Sequence, residues 1–465
     1  MGATSGEPGS GDTIVALSTP PGTSGLAVLR LSGPSCRSVA RSHLGRIELE
    51  PRHVYYGGFR LPTGEILDRL NFVFFPGPAS STGEDVLELY PHGNMLLVDR
   101  LLKTLLDFSG VRLAGPGEFT RRAFEGGKID LLQAEAVGQL IHAQTVGALR
   151  NAQRIVAGGL SVPLKELRDS LVDLSVRLEL DVDFSEEEAD PDYASWAPRL
   201  ESVLATLAGL GAGFEKGRDL ARSPRVVILG APNAGKSSLI NALVEEDRLL
   251  VSEIPGTTRD YVEVTLRLPG GLVQLVDTAG LGRPVDGLDE MAMERTRRQS
   301  DRADVRVWVQ DGSADGGTGS EDVLSGGISD TGIPAAPDGA GGDGFALRLL
   351  TKSDLPGFRA EDGFLPVSNR TRAGLKDFRE RLNALVFQDR GAGEDIMLTT
   401  ERQFRTIEAA RERVEAALRG MRGKPAIEIL AFEIREAAGH LQELLGEIST
   451  DEILGKIFSG FCIGK

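Results

Sequence analysis

Cysteine is nearly missing from this chain: among 465 residues there are two, Cys36 and Cys462, near opposite ends. That excludes a disulfide framework and a cysteine-based metal cluster as the basis of the fold. The five histidines are scattered and suggest no metal site of their own. No apolar run is long enough to span a bilayer. The opening MGATSGEPGSGD lacks the basic and apolar regions of a secretory leader. A cytoplasmic protein without membrane association is the expectation. A basic excess is absent too, since the formal net charge is −16. This argues against an indiscriminate nucleic-acid binder while leaving room for a local basic face. With 41% hydrophobic and 26% charged residues the chain is ordinary globular material, but too long for one core, so two or three domains are expected.

What is present is concentrated at Gly230 to Ser238, GAPNAGKSS. The apolar Val226 to Leu229 precedes it, and the helical pattern Leu239, Ile240, Ala242, Leu243 follows. Strand, Gly-rich loop and helix form the context of a P-loop. Glycines allow close backbone approach to phosphate oxygens at a helix N-terminus. Lys236 is placed on the β- and γ-phosphates and Ser237 on Mg²⁺. Asp277-Thr278-Ala279-Gly280 follows a second apolar run, with Asp277 suited to Mg²⁺ and Gly280 to a γ-phosphate contact. Thr351-Lys352-Ser353-Asp354 follows a third. A carboxylate at Asp354 can accept from guanine N1–H and N2–H₂, a pairing adenine cannot offer. In this order the three motifs indicate a GTPase.

The rest of the chain falls into further domains. Residues 1 to about 12 are Gly/Ser-rich and read as disordered. Strand-like pieces follow at Thr13 to Leu17, Leu26 to Leu31, Val54 to Phe59, Leu70 to Phe75 and Val86 to Leu89, with helical stretches at Ser35 to Leu44 and Asn94 to Phe108. From Leu131 the pattern is helical: Leu164, Leu167, Leu171, Leu174 and Leu178 recur at threes and fours. A second helical region runs from Thr399 to Phe458, with Leu441, Leu444, Leu445 and Ile448 as its apolar face. The reading is a multidomain α+β protein. It has an N-terminal α+β domain (1–128), a discontinuous helical domain (129–221 and 391–465), and a Ras-like P-loop α/β G domain inserted between its halves (222–390). The Gly-rich stretch Asp311 to Asp343 reads as a loop without assigned function, and the acidic DVDFSEEEADPD (181–192) as a solvated helix end. Basic residues from Arg402 to Lys424 read as a solvated helix face ahead of a phosphate contact.

Several widely spaced stretches together carry a family resemblance. They are DTIVA (Asp12 to Ala16) with TPPG, TGEDVLEL (Thr82 to Leu89), PGEFTRRAF (Pro116 to Phe124) and KIDLLQAEA (Lys128 to Ala136). Further on come IPGTTRD (Ile254 to Asp260) with DTAGL, and ILGKIFSGFCIGK (Ile453 to Lys465). On these the chain resembles the MnmE (TrmE) family of tRNA-modifying GTPases over nearly its whole length.

The resemblance implies a homodimer formed through an N-terminal domain that binds a 5-formyl- or methylene-tetrahydrofolate, with Arg30, Glu88, Lys128 and Lys465 as contacts. It implies an FAD- and NADH-using MnmG (GidA)-type partner, in a heterotetramer or larger complex. Its product would be an aminomethyl-type (carboxymethylaminomethyl) group at C5 of the wobble uridine of tRNA. It also implies K⁺-stimulated hydrolysis, the ion doing the work of an arginine finger. Asn233, Ser252, Ile254 and Thr257 would hold K⁺, with Glu253, Pro255 and Gly256 in the same loop. Thr258 and Ser237 would hold Mg²⁺, while Ala234, Gly235 and Ser238 complete the P-loop. The water-positioning carboxylate aligns with Asp289, with Glu290 as the alternative. The guanine motif begins with Thr351 where the family has Asn. Ser368-Asn369-Arg370 is a weak match to the loop whose backbone N–H meets the guanine carbonyl. Cys462 reads equally as a thiolate nucleophile and as a structural thiol. The competing expectation is a regulatory GTPase switch in ribosome assembly or another RNA process.

Overall fold

The computed structural model describes residues 11–183, 193–247, 263–277, 303–313, 346–388, 395–422 and 427–465. Of the N-terminal stretch 1–12, the acidic stretch 181–192 and the Gly-rich stretch 311–343, residues 1–10, 184–192 and 314–343 lie outside them. The first elements are β1 (Thr13–Leu17), β2 (Leu29–Ser32), α1 (Cys36–Leu44), β3 (Val54–Arg60), β4 (Ile66–Phe75), β5 (Val86–Tyr90), α2 (Met95–Leu106) and β6 (Val111–Leu113). Helices α3 (Glu118–Glu125), α4 (Leu131–His142), α5 (Val146–Val156), α6 (Ser161–Asp183), α7 (Tyr193–Ala212) and α8 (Phe214–Ala221) follow. Then come β7 (Arg225–Leu229), α9 (Lys236–Asp247), β8 (Glu263–Leu268), β9 (Gly271–Asp277), β10 (Val305–Asp311), β11 (Leu347–Thr351), β12 (Leu365–Pro366) and α10 (Leu375–Phe387). The chain closes with α11 (Glu401–Arg422), α12 (Ile427–Leu445) and α13 (Asp451–Ser459).

These elements form two compact units, one of residues 1–141, 152–211 and 401–465, the other of 142–151 and 212–400. In the first, six strands run in the order β3-β4-β5-β2-β1-β6, antiparallel except for the β1–β6 pair. The period of two along β2 and β5 divides their side chains between faces. Leu29, Leu31, Leu87 and Leu89 are buried in one core with Val39 and Ala40 of α1 and Val98, Leu101 and Leu105 of α2. Arg30, Ser32, Glu88 and Tyr90 therefore share the other face. Asn94 caps α2, its Oδ1 accepting from the N–H groups of Leu96 and Leu97 at 3.0 and 3.3 Å. β2 begins at Leu29, not at Leu26 as the apolar run suggested; Leu26 is exposed.

In the same unit α12 packs against both α6 and α11. The buried positions of α11 are Gln403, Thr406, Ile407, Ala410, Val414, Ala417 and Met421, the alternating threes and fours of a packed seam. On α12, Leu441, Leu444 and Leu445 are buried, but Ile448 is 58% exposed. The helix ends at Leu445 and Gly446 turns left-handed (φ 81°), so Ile448 leaves the apolar face that its spacing assigned to it. Several of the basic residues of α11 face acids: Arg402 meets Glu135, Arg405 meets Glu401, Arg411 meets Glu408 and Glu415, and Arg413 meets Glu433. Arg405, Arg411 and Arg413 form surface pairs of little worth, whereas Arg402 meets the buried Glu135 of α4 and its two terminal guanidinium nitrogens are themselves buried. Helix α13 packs on α3, with Leu454 and Phe458 buried against Leu131 and Ala134 of α4.

The second unit holds a sheet of order β12-β11-β10-β7-β9-β8, parallel throughout except for the antiparallel β8–β9 hairpin. Its central strands are apolar on both faces, as buried parallel strands require. Val226 and Ile228 join one core with Leu239 and Leu243 of α9 and Phe378 and Leu382 of α10; Val227 and Leu229 join a second with Val276. The protein is thus a mixed α/β multidomain molecule, and no helix among the described residues is long and apolar enough to cross a membrane.

Candidate nucleotide and carboxylate-arginine sites

Within the second unit, five parallel strands end at one edge of the sheet and deliver the described nucleotide residues there. Register pairs Ile228 with Asp277 and Asp311 with Thr351. The edge beyond the carboxyl ends of parallel strands is where open α/β sheets bind ligands. Residues 230–235 join β7 to α9 as the P-loop. Gly230 has φ 153°, and a β-carbon there would lie 2.0 Å from the Val309 carbonyl of β10, so only glycine lets the chain leave the sheet at this point. Asn233 is left-handed at φ 62°, a conformation Asn tolerates better than most side chains.

Lys236 is buried, and its Nζ donates to the carbonyls of Gly230 and Ala231 at 2.8 and 2.9 Å. Burial lowers its pKa, while the neighbouring Asp277 acts in the opposite direction. Ser237 Oγ donates to Asp277 Oδ2 at 2.7 Å, so hydroxyl and carboxylate already converge at the start of α9. Two hard oxygen donors at that spacing suit Mg²⁺, which takes a few protein oxygens and completes its shell with phosphate and water. Ser238 is exposed on the first turn of the same helix.

At the far side of the edge, Asp354 accepts from Ser368 Oγ at 2.5 Å and from Arg370 Nε at 2.7 Å. Those bonds, the Ser368 one foremost, hold its carboxyl below the usual range. The Ser353 N–H donates to the Val367 carbonyl at 3.2 Å, tying the two loops together. Lys352 Nζ pairs with Asp311. Thr351 is fully buried, and its hydroxyl reaches the Ala234 carbonyl of the P-loop at 2.7 Å. Asn369 Nδ2 donates to the Gly235 carbonyl at 3.2 Å. The structure therefore brings together Asn233, Ala234, Gly235, Lys236, Ser237, Ser238, Asp277, Thr351, Lys352, Ser353, Asp354, Ser368, Asn369 and Arg370. Ser252 through Thr258, Thr278, Ala279, Gly280, Asp289 and Glu290 lie outside the described residues.

A second cluster belongs to the first unit. Arg30 and Glu88 are direct cross-strand partners, joined from Nε to Oε1 at 2.8 Å. Tyr90 donates its hydroxyl to the other carboxylate oxygen at 2.5 Å, and the Arg30 guanidinium stands 5.8 Å from the centre of the Phe119 ring. Burial and the Glu88 carboxylate push the Tyr90 phenol upward, so it remains a donor. Sequence reading selects neither Tyr90 nor Phe119 as a site residue. Their part depends on strand register and on the seat of α3, which spacing along the chain does not disclose.

Beside this cluster, Arg122 binds Asp12, Glu84 and Glu118, and Arg112 binds Asp12 and Glu118, bracing α3 against β1. Lys128 donates its Nζ to the Pro78 carbonyl at 3.0 Å and packs its stem on Gly83. The C-terminal segment reaches the same domain. Ile463 bridges Pro116, Ser18 Oγ donates to the Gly464 carbonyl, and the N–H of Lys465 folds back to the Cys462 carbonyl at 3.3 Å. Cys462 is an exposed free thiol, whereas Cys36 is buried with its pKa pushed up to about 12 by desolvation. Of the two thiols, Cys462 alone is accessible.

Comparison with known proteins identifies the family. Residues 13–128 match the GTP-binding protein TrmE N-terminus and residues 131–462 the MnmE helical domain. The tRNA modification GTPase MnmE of Bordetella petrii is 40% identical over 97% of this chain and 98% of its own. The protein of that name from Nitrosococcus oceani is 38% identical over 98% and 97%. The one from Photobacterium profundum is 36% identical over 98% and 99%. With both family models matched and full-length relatives at this identity, the chain belongs to the MnmE family of tRNA modification GTPases.

Proposed function

We propose that this protein hydrolyses GTP with Mg²⁺ and K⁺ and uses the cycle in modifying the wobble uridine of tRNA, together with an FAD- and NADH-dependent partner. The observation that carries the nucleotide part is the convergence of Lys236, Ser237, Asp277 and Asp354 at one sheet edge. Lys236 is held by carbonyls that a triphosphate displaces as acceptor, and its charge then meets the β- and γ-oxygens. Asp354 accepts from the Watson–Crick edge of guanine, and Ser237 with Thr258 holds Mg²⁺. K⁺ supplies charge neutralisation between the phosphates when bound, and Asn233 is the described residue assigned to it. Asp289 or Glu290 positions the attacking water.

The Arg30–Glu88 pair supports the folate reading. A carboxylate on this face can pair with the donors of a pterin edge, and arginine with a folate carboxylate. Lys128 and Lys465 add positive charge for the same ligand, with Cys462 near the C-terminus. The protein acts as a cytoplasmic homodimer, GTP hydrolysis toggling its G domains.

The test is mass spectrometry of tRNA from cells lacking the endogenous family member and carrying this chain, its Lys236→Ala variant or its Glu88→Ala variant. Restoration of the C5-modified wobble uridine by the natural chain and by neither variant is expected. Restoration by Lys236→Ala overturns the role of GTP, and restoration by Glu88→Ala overturns the folate site.

A further inference from the structure

The guanine end of the nucleotide site carries Thr351, and the neighbouring loop brings the amide of Asn369 beside it. Thr351 has a single hydroxyl proton and two carbonyl neighbours for it, Ala234 at 2.7 Å and Gln310 at 3.1 Å. No donor is left on this side chain for a base. Asn369 approaches the same spot from the loop that clamps Asp354: a β-carbon on Gly235 would lie 3.3 Å from Asn369 Nδ2 and 3.5 Å from Thr351 Oγ1.

The Asn369 amide is oriented by one bond, Nδ2–H to the Gly235 carbonyl at 3.2 Å. Its Oδ1 is buried, and among the described residues it has no hydrogen-bond partner. Oδ1 is an acceptor and calls for a donor, but the amide nitrogen carries two hydrogens and bonds through one, to Gly235, which leaves the second as a donor for an acceptor on a ligand.

Guanine presents its groups in a fixed order. N2–H₂ and N1–H are donors, and O6 and N7 on the next edge are both acceptors. With Asp354 on the first pair, the pocket must offer donors to the second. Residues 368–370 follow that order, with Ser368 and Arg370 on Asp354 and the Asn369 side chain continuing to the P-loop. We propose that the Asn369 side-chain amide reads guanine, one Nδ2 hydrogen going to the Gly235 carbonyl and the other to N7 of the base. Thr351 keeps only the tether to the P-loop. This rests on the reading of the second unit as a guanine-nucleotide site.

The experiment measures binding of GDP and of 7-deaza-GDP, in which a C–H replaces N7, to the full chain and to its Asn369→Ala and Thr351→Asn/Asn369→Ala variants. The natural chain should favour GDP by about tenfold, the worth of one well-made hydrogen bond in a dry pocket. Asn369→Ala should bind both nucleotides equally, and the double variant, with the amide moved to position 351, should regain the preference. Equal loss on both nucleotides in Asn369→Ala would mean that the amide only braces the P-loop, and overturns the proposal. So does a natural chain that binds GDP without regard to N7. A natural chain that binds no GDP overturns the underlying nucleotide reading, a different failure with a different signature.

Discussion

Ser18 Oγ donates to the carbonyl of Gly464 at 3.0 Å, joining residues 446 positions apart in the chain. Leu17 pairs with Leu29, and Ala16 with Arg30, so this bond seats the C-terminus about two residues along β1 from the Arg30–Glu88 pair. Gly464 is held at φ 97°, and a β-carbon there would lie 2.4 Å from the Leu17 carbonyl. Replacement by alanine is strained on both counts. Gly464→Ala should weaken tetrahydrofolate binding by about tenfold or more, the scale of a lost charged contact, and leave GTP hydrolysis unchanged. Isothermal titration beside a phosphate-release assay checks it. Undiminished folate affinity would show that the seat of Lys465 is irrelevant to that site.

The arginine brace of α3 predicts an acid-sensitive domain. Burial opposes the charged forms of Asp12 and Glu118, but hydrogen bonds from Arg112, and from Arg122 to Asp12, prevail and hold both carboxyls below their ordinary values of 3.8 and 4.5. A carboxyl with a depressed folded pKa binds its proton more readily in the unfolded chain. Its stabilisation is fully present above the ordinary value and is lost as the pH falls through the folded one. Thermal unfolding from neutral to acid pH should therefore show a steep decline at the acid end, made shallower by Arg112→Gln. Parallel curves for the two proteins would contradict the assignment.

Asp354→Asn should exchange the base preference. An amide there offers a donor where guanine also presents donors, whereas xanthine carries a carbonyl at C2. GTP affinity should fall by about a hundredfold, the scale on which unpaired buried polar groups discriminate, and XTP should bind better than GTP. Competition of both nucleotides against a fluorescent GDP analogue measures this. Unaltered preference would place the base elsewhere.

Much of the nucleotide site is legible in the sequence because its chemistry is local. Strand, loop and helix adjoin at 225–247, and the Gly-Lys-Ser order follows from how backbone and side chain meet a phosphate. Asp277 and Thr351 are legible for a related reason, since each closes an apolar run that ends at the same sheet edge. The Arg30–Glu88 pair is not local. It requires β2 and β5 to lie side by side in one register, and 58 positions separate the partners. Tyr90 and Phe119 enter with that register. Ile448 fails as a core residue because periodicity continues past Gly446, where the backbone turns away. The bond of Asn369 to Gly235 depends on a loop path that no spacing rule specifies.

GTP hydrolysis in KCl and in NaCl at equal ionic strength, with Asn233→Ala, Asp289→Ala and Glu290→Ala alongside, reads out the dependence on K⁺. Hydrolysis should be at least about tenfold faster in KCl, the gain from one added transition-state charge contact. That advantage should vanish in Asn233→Ala and in one of the two carboxylate variants. Equal slow rates in both salts would contradict it, leaving a protein that binds GTP through Lys236 and Asp354 without the cation that drives turnover.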